Sequence, residues 1–325
     1  MIDKLRFLVV CGTLAAVSAC GGESKPEPAI PSVKEGYINV TGGKVWYKIV
    51  GMDKAAIPLM TLHGGPGAPH DYLEPLEALA DARPVIFYDQ LGCGNSDRPE
   101  DVSLWTVERF VGELAQVRDA IGIEKMHILG QSWGSMLGVR YVLDRQPEGI
   151  VSLVLSGPYL SSPRFIEDQR AWLRQMPEDL QKTILECEAA GTFDSEEYQT
   201  AAIEYYERHV CRLIPWPECL NRTLEKMGDA VYEQMWGHSE FTTTGTLKDA
   251  DLSPQLGEIA VPTLLTCGRY DEATPETTAY YQSLIPGSEM MIFEDASHNH
   301  HLEQPEEYMQ VVREFLRKAE KGVGI

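Results

Sequence analysis

The sequence predicts an α/β fold: a mostly parallel sheet with helices on both faces and an inserted helical segment. Three observations predict it. Short, continuously apolar runs recur, among them "PLMTLHGG", "PVIFYDQLG", "MHILGQS", "VSLVLSGP" and "VPTLLTCG". Strands covered on both faces read this way. Between two of these runs lies "VERFVGELAQVRDAIG", with apolar residues at helical spacing and a terminal glycine. Finally, residues 158–257 carry helical patterns and no clear strand, splitting the strand series in two.

The composition suits such a fold. Of the 325 residues, 43% are hydrophobic and 24% charged, enough apolar matter for a large core and far too much for a disordered chain. The net charge is −21, from 49 acidic and 28 basic residues, with no run rich in Lys or Arg. This excludes nucleic acid as an expected partner. The surplus acid serves solubility or attracts a cationic ligand.

The elements follow in order. Residues 1–19 have a signal-peptide layout: Lys4 and Arg6, then the apolar run "FLVVCGTLAAV", too short for a permanent membrane span, then small residues. "VSAC" resembles a bacterial lipobox, with cleavage before Cys20 and lipid on its sulfur. The expectation is an exported lipoprotein, held at a membrane through Cys20 and facing the periplasm or cell surface. Residues 20–33 read as a flexible tether. From Gly36, "YINV" and "KVWYKIV" around "TGG" form a hairpin. Residues 34–157 and 258–325 make the α/β core, and 158–257 the helical lid. "RFIEDQRAWLRQM", "PEDLQKTILECEAAG" and "SEEYQTAAIEYYERHV" are its helices. A last strand, "SEMMIFED", precedes a helix from about Glu306 to Lys318.

Cys93, Cys187, Cys211, Cys219 and Cys267 remain after the signal segment, an odd number. Export permits disulfides. Cys211 with Cys219 is the expected bridge and Cys187 the rival partner, since sequence alone does not set the pairing. No cluster has zinc spacing, so no metal and no cofactor are expected.

The chemistry centres on "GQSWG" at 130–134, which follows a strand and precedes a helix. A G-x-S-x-G nucleophile elbow requires that context, placing Ser132 on a strained turn with its hydroxyl exposed. A serine nucleophile needs a base, and the base an orienting acid. In strand–helix sheets of this kind they follow in the order Ser, acid, His. Asp271 in "RYDEATP" and His298 in "ASHNHH" each come just after a strand, at the edge where such sheets build their sites. His300 and His301 are rival bases and Asp295 a rival acid. The oxyanion needs two backbone N–H donors. Trp133 supplies one, and Gly65 in "HGGPG" at 63–67 the other, while His63 supports the loop.

With these motifs in place, the sequence resembles the proline iminopeptidase family of α/β-hydrolases, close to its tricorn-interacting-aminopeptidase-like branch. The likeness rests on "HGGPG", "YDQLGCGNSDRP", "GQSWGS", "HVCRLIPWP", "WGHSEFTTTGTLKDAD", "GRYDEATP" and "ASH", in order, over about residues 36–318. Leu91, where many members carry arginine, and "NHHLEQP" after His298 depart from the pattern. The resemblance implies an α/β-hydrolase fold with a helical lid. It implies a serine exopeptidase that releases N-terminal residues, proline above all, from peptides with a free N-terminus. It also implies that Glu240 and Glu272 hold the substrate's α-ammonium. Trp236, Trp133, Tyr270 and Phe241 are aromatic candidates for the pocket wall or for the core. Same-fold rivals are an amino-acid amidase, an esterase or a lactonase; the non-enzymatic rival is a lipid-anchored binding scaffold.

Overall fold

The computed structural model describes residues 32–322. The expected signal sequence, Cys20 and the tether as far as residue 31 lie outside the described residues.

Eight strands form one sheet: β1 (Val33–Val40), β2 (Gly43–Val50), β3 (Leu59–Leu62), β4 (Val85–Tyr88), β5 (Met126–Gln131), β6 (Ile150–Ser156), β7 (Thr263–Gly268) and β8 (Glu289–Phe293). Their order is β1-β2-β4-β3-β5-β6-β7-β8. β2 pairs antiparallel with both β1 and β4, and the other pairings are parallel. β1 begins before the expected hairpin start, because Val33 already pairs with Val50. Its first four residues are exposed or half-buried at the sheet edge, so they carry no apolar pattern.

Alternation along the strands builds two cores. Met60, Leu62, Ile86, Tyr88, Ile128 and Leu153 join one apolar cluster. Leu59, Val85, Phe87, Leu129 and Val154 join the other. The first face is covered by α1 (Val107–Ile121), α2 (Trp133–Arg145) and α8 (Pro275–Leu284), the second by a 3₁₀ stretch (His70–Asp81), the short α9 (His300–Glu303) and α10 (Pro305–Gly322). Thr106 caps α1 by accepting from the Arg109 N–H, and Gly122 closes it at φ +78°. α10 buries Tyr308, Met309, Val312, Phe315, Leu316 and Ala319, a stripe of helical period.

Between β6 and β7 run α3 (Ser162–Leu173), α4 (Glu178–Ala190), α5 (Glu196–His209), α6 (Glu218–Glu225) and α7 (Asp229–Met235). α3, α4 and α5 enclose a third apolar cluster with Leu173, Ile184, Tyr205 and Phe241. α6 and α7, each of eight residues or fewer, are too short to show a helical period in the sequence. No helix of the described residues is long and apolar enough to cross a membrane.

The expected disulfide is a correction. All five cysteines among the described residues are free thiols. Cys211 is fully buried in the second core, where burial pushes its thiol up to about 12, and Cys219 packs beside that cluster. Cys187 lies against the separate cluster of the insert. Tertiary packing uses these sulfurs as small apolar groups, a role that spacing along the chain does not reveal.

Candidate active site

The strand order reverses beside β3. The chain passes from β3 to β4 on one side and places β5 on the other, with Leu62 aligned with Gly130. A reversal of this kind opens a crevice at the C-terminal ends of the strands. Here the loops after β3 and β5, "HGGPG" and "GQSWG", lie side by side.

Ser132 stands in that crevice at φ 54° and ψ −122°, a conformation that costs a non-glycine residue about 1–3 kcal/mol. Neighbouring bonds hold it. The Ser132 N–H donates to the Ser156 carbonyl at 2.9 Å, and the Ser135 N–H to the Ser132 carbonyl at 2.8 Å. The flanking glycines allow the turn. A Cβ on Gly134 would sit 2.0 Å from the Leu62 carbonyl oxygen, and one on Gly130 2.2 Å from that of Gly134.

The loops after β7 and β8 bring the acid and base together. His298 Nδ1 lies 2.7 Å from Asp271 Oδ1. Asp271 is fully buried, and its carboxylate also accepts from the Ala273 N–H at 2.8 Å and the Gly268 N–H at 3.3 Å. A carboxylate so held orients an imidazole and stabilises its protonated form. Gly157, at φ +53°, lets the ring approach: a Cβ there would lie 2.7 Å from His298 Nδ1. His300 instead contacts Ser156 and Thr266 hydroxyls at 3.0 and 2.9 Å, and His301 Nε2 lies 3.0 Å from the Tyr72 carbonyl. Asp295 is exposed in the turn after β8.

The loop after β3 is braced from beneath. The Gln90 N–H donates to His63 Nε2 at 2.9 Å, which leaves Nδ1–H to face the Gly64 carbonyl at 3.1 Å. Burial pushes His63 down to about 4, so the ring stays neutral. The Trp133 indole N–H donates to Gln90 Oε1 at 3.0 Å, tying the elbow to the same brace. The Gly64 N–H is taken by the Tyr72 hydroxyl at 2.7 Å, which itself donates to Gln131 at 2.6 Å. The Gly65 and Trp133 backbone N–H groups donate to no acceptor among the described residues.

Ser132, His298 and Gly65 line a cavity of about 590 Å³ that also contains Glu240, Glu272 and Trp236. His298 Nε2 is 3.5 Å from Glu272 Oε1. The Gln169 amide donates to Glu272 Oε2 at 3.3 Å, and the Tyr205 hydroxyl donates in turn to Gln169. Tyr232 donates its hydroxyl to Glu240 Oε2 at 2.7 Å. Burial pushes the Glu272 carboxyl well above the usual carboxylate range and raises Glu240 as well. Burial alone would lower His298, but the Asp271, Glu272 and Glu240 carboxylates beside it outweigh that and hold it at about 9. Each of these charges therefore acts on the others: the carboxylates favour the imidazolium of His298, and the imidazolium opposes the rise that burial imposes on Glu272 and Glu240.

Of the four aromatic candidates, only Trp236 reaches the cavity. Trp133 and Phe241 are fully buried elsewhere, and Tyr270 lies under the Arg212 guanidinium on the surface. The wall beside Trp236 comes from Tyr159 and Phe165, edge-on to one another and to Trp236 at 5.3–5.4 Å, with Tyr232 adjoining. Sequence reasoning missed a second set of residues that fixes the acid and base from the insert. The Trp172 indole N–H donates to the Asp271 carbonyl at 2.9 Å and stacks on His209. His209 Nδ1 lies 2.8 Å from the Tyr270 carbonyl, and its own carbonyl accepts from the His298 N–H at 3.1 Å. The one available signal was "HVCRLIPWP", a motif with no chemistry of its own.

Comparison with known proteins agrees with this architecture. The alpha/beta hydrolase fold family model matches residues 57–305. A proline iminopeptidase of Heyndrickxia coagulans is 49% identical over 284 residues, covering 87% of this chain and 98% of that protein. One from Clostridium botulinum is 38% identical over 290 residues, 88% and 99% of the two chains. The solved structure of a proline iminopeptidase from Mycobacterium smegmatis superposes with a TM-score of 0.83 at 37% identity, covering 89% of this chain and all of that one.

Proposed function

The chain belongs to the proline iminopeptidase family of α/β-hydrolases, and from that premise we propose that it is a serine exopeptidase releasing the N-terminal residue, proline by preference, from peptides with a free N-terminus. One observation carries the reading furthest. Two carboxylates, Glu240 and Glu272, share a cavity with Ser132 and His298, and among the described residues no lysine or arginine lines it. Burial disfavours the charged form of both carboxyls, and a cation placed between them restores it, so the pair calls for a cationic substrate group. The α-ammonium of a peptide supplies it. Held there, the ammonium sets the first carbonyl beside Ser132.

In this reading Ser132 Oγ attacks that carbonyl while His298 takes its proton, oriented by Asp271. The Gly65 and Trp133 N–H groups, which have no acceptor among the described residues, hold the oxyanion. His298 then protonates the departing amine, and water, activated by the same imidazole, hydrolyses the acyl-enzyme. Tyr159, Phe165 and Trp236 form a rigid apolar wall for a proline ring. Helices α3–α7 act as the lid, fixing the acid and base loops through Trp172 and His209.

The test compares proline arylamide with its N-acetyl form. The free amine is expected to be cleaved with a kcat/KM about a hundredfold higher, the order expected when a buried charge pair goes unmade. Equal rates, or preference for the acetylated form, would favour an esterase or amidase with no use for the amine.

The N-terminal sequence supports a further part of the proposal, that the enzyme is exported and tethered by lipid on Cys20. "VSAC" and the polar, Gly/Pro-rich stretch after it are the grounds. Cys20→Ala should move the protein from the detergent phase to the aqueous phase of cell extracts. An unchanged partition would count against the anchor.

A further inference from the structure

We propose that the open end of the cavity, between α5 and α6, is a leaving-group site that takes an apolar residue after the scissile bond and disfavours a free α-carboxylate there. The inference rests on the aminopeptidase reading above, because that reading fixes which end of the substrate lies inside.

The cavity has a closed end and an open one. At the end that carries Glu240 and Glu272, Trp236 is 3% exposed and Tyr159 2%. Its exposed lining residues all come from α5, α6 and the start of α7: Gln199, Ile203, Leu224 and Asp229. Ile203 and Leu224 are 48% and 50% exposed, large apolar side chains left at a rim. With the ammonium held at the closed end, everything beyond the first carbonyl must run towards this rim.

The lining outward of Ser132 is mostly apolar: Val210, Trp216, Leu220 and Met227, with Trp216 and Leu220 packed on the second core with Cys211. Its polar members Thr223 and Asn299 are engaged, Thr223 donating to the Cys219 carbonyl and the Asn299 amide to the Val210 carbonyl. Among the described residues Asp229 is its one charged group. The nearby cations are engaged elsewhere: Lys226 Nζ pairs with Asp71 at 2.7 Å, and Arg98 donates to the Lys226 and Met227 carbonyls. A dipeptide would place its terminal carboxylate here, against an apolar wall and without a cationic partner, whereas a longer peptide or an amide places a neutral group. An apolar side chain gains by covering the same wall.

The experiment measures kcat/KM for proline release from Pro-Leu, Pro-Leu-amide and Pro-Asp-amide, on the wild type and on Leu224→Arg. Pro-Leu-amide should exceed both others by about tenfold or more. Leu224→Arg, at an exposed position, should narrow the amide-to-acid ratio by raising turnover of Pro-Leu. Release of proline from Pro-Leu and Pro-Leu-amide at rates within about twofold of each other, or an arginine variant with an unchanged ratio, overturns the leaving-group site and leaves the aminopeptidase reading standing. Release of proline from none of the three peptides overturns both.

Discussion

Ser132→Ala lowers kcat for proline release from a proline arylamide by about 10⁴–10⁶-fold, the range found when a serine hydrolase loses its nucleophile. The expected loss is large because no other group can replace it. Cys93 is fully buried, and burial pushes its thiol well above the ordinary range, so it supplies no thiolate. The Ser135 hydroxyl donates to the Gly130 carbonyl, and that of Ser156 is bonded to His300 and Tyr308. Thr223 lines the cavity, but its hydroxyl is spent on the Cys219 carbonyl and the Tyr72 N–H. The fold should be unaffected, because Ser132 is held by backbone bonds that alanine keeps. Far-ultraviolet circular dichroism and steady-state kinetics on the purified variant make the check. Turnover above about one hundredth of wild type in a folded variant would remove Ser132 from the mechanism.

Glu272→Gln carries the second large effect and a signature that mere loss of packing would not give. The amide is nearly isosteric, and its oxygen can still accept from Gln169. What disappears is the carboxylate that stands 3.5 Å from His298 Nε2 and that, in the proposed reading, faces the substrate's ammonium. For free-amine substrates kcat/KM should fall about 10²–10³-fold, as when one member of a buried ion pair is removed. For the N-acetyl substrate it should stay level or rise. The pH dependence has a definite sign. His298 must be neutral to accept the Ser132 proton, and its value near 9 means that kcat/KM of the wild type declines as pH falls below that point. Without the Glu272 charge the imidazolium loses part of its stabilisation, so the acidic limb should move to lower pH. A limb that stays in place, or moves upward, would show that Glu272 does not face the base in solution. In the proposed reading the same electrostatics give the substrate a part in activating the enzyme: its ammonium would take over as countercharge to Glu272 and Glu240, and His298 would release its proton more readily.

Much of this site was legible along the chain because its parts obey local steric rules. A strained serine between two glycines, set after a strand and before a helix, admits few other readings, and the helix cap at Gly122 and the strand runs are local in the same sense. The aromatic assignments were not legible. Trp133 follows the nucleophile directly, yet its ring points into the core to meet Gln90, whereas Tyr159 and Phe165 line the cavity from a stretch with no motif. Which face of an element a ring occupies depends on what packs against it, and that partner is distant in sequence.

By itself the sequence determined the sheet, the first three inserted helices and the chain order of Ser132, Asp271 and His298, because strand and helix periodicity and turn sterics act over a few residues. It also carried the family resemblance, with Glu240 and Glu272 as its amine ligands. Only the tertiary structure decided the rest. It left Cys211 and Cys219 as thiols and drew Trp172, His209 and Gln169 from the insert onto the acid, the base and Glu272. It also opened the cavity at Ile203 and Leu224. Each of these is a contact between segments separated by tens of residues or more, selected by burial and by hydrogen-bond satisfaction across the whole fold, and no short stretch of sequence encodes it.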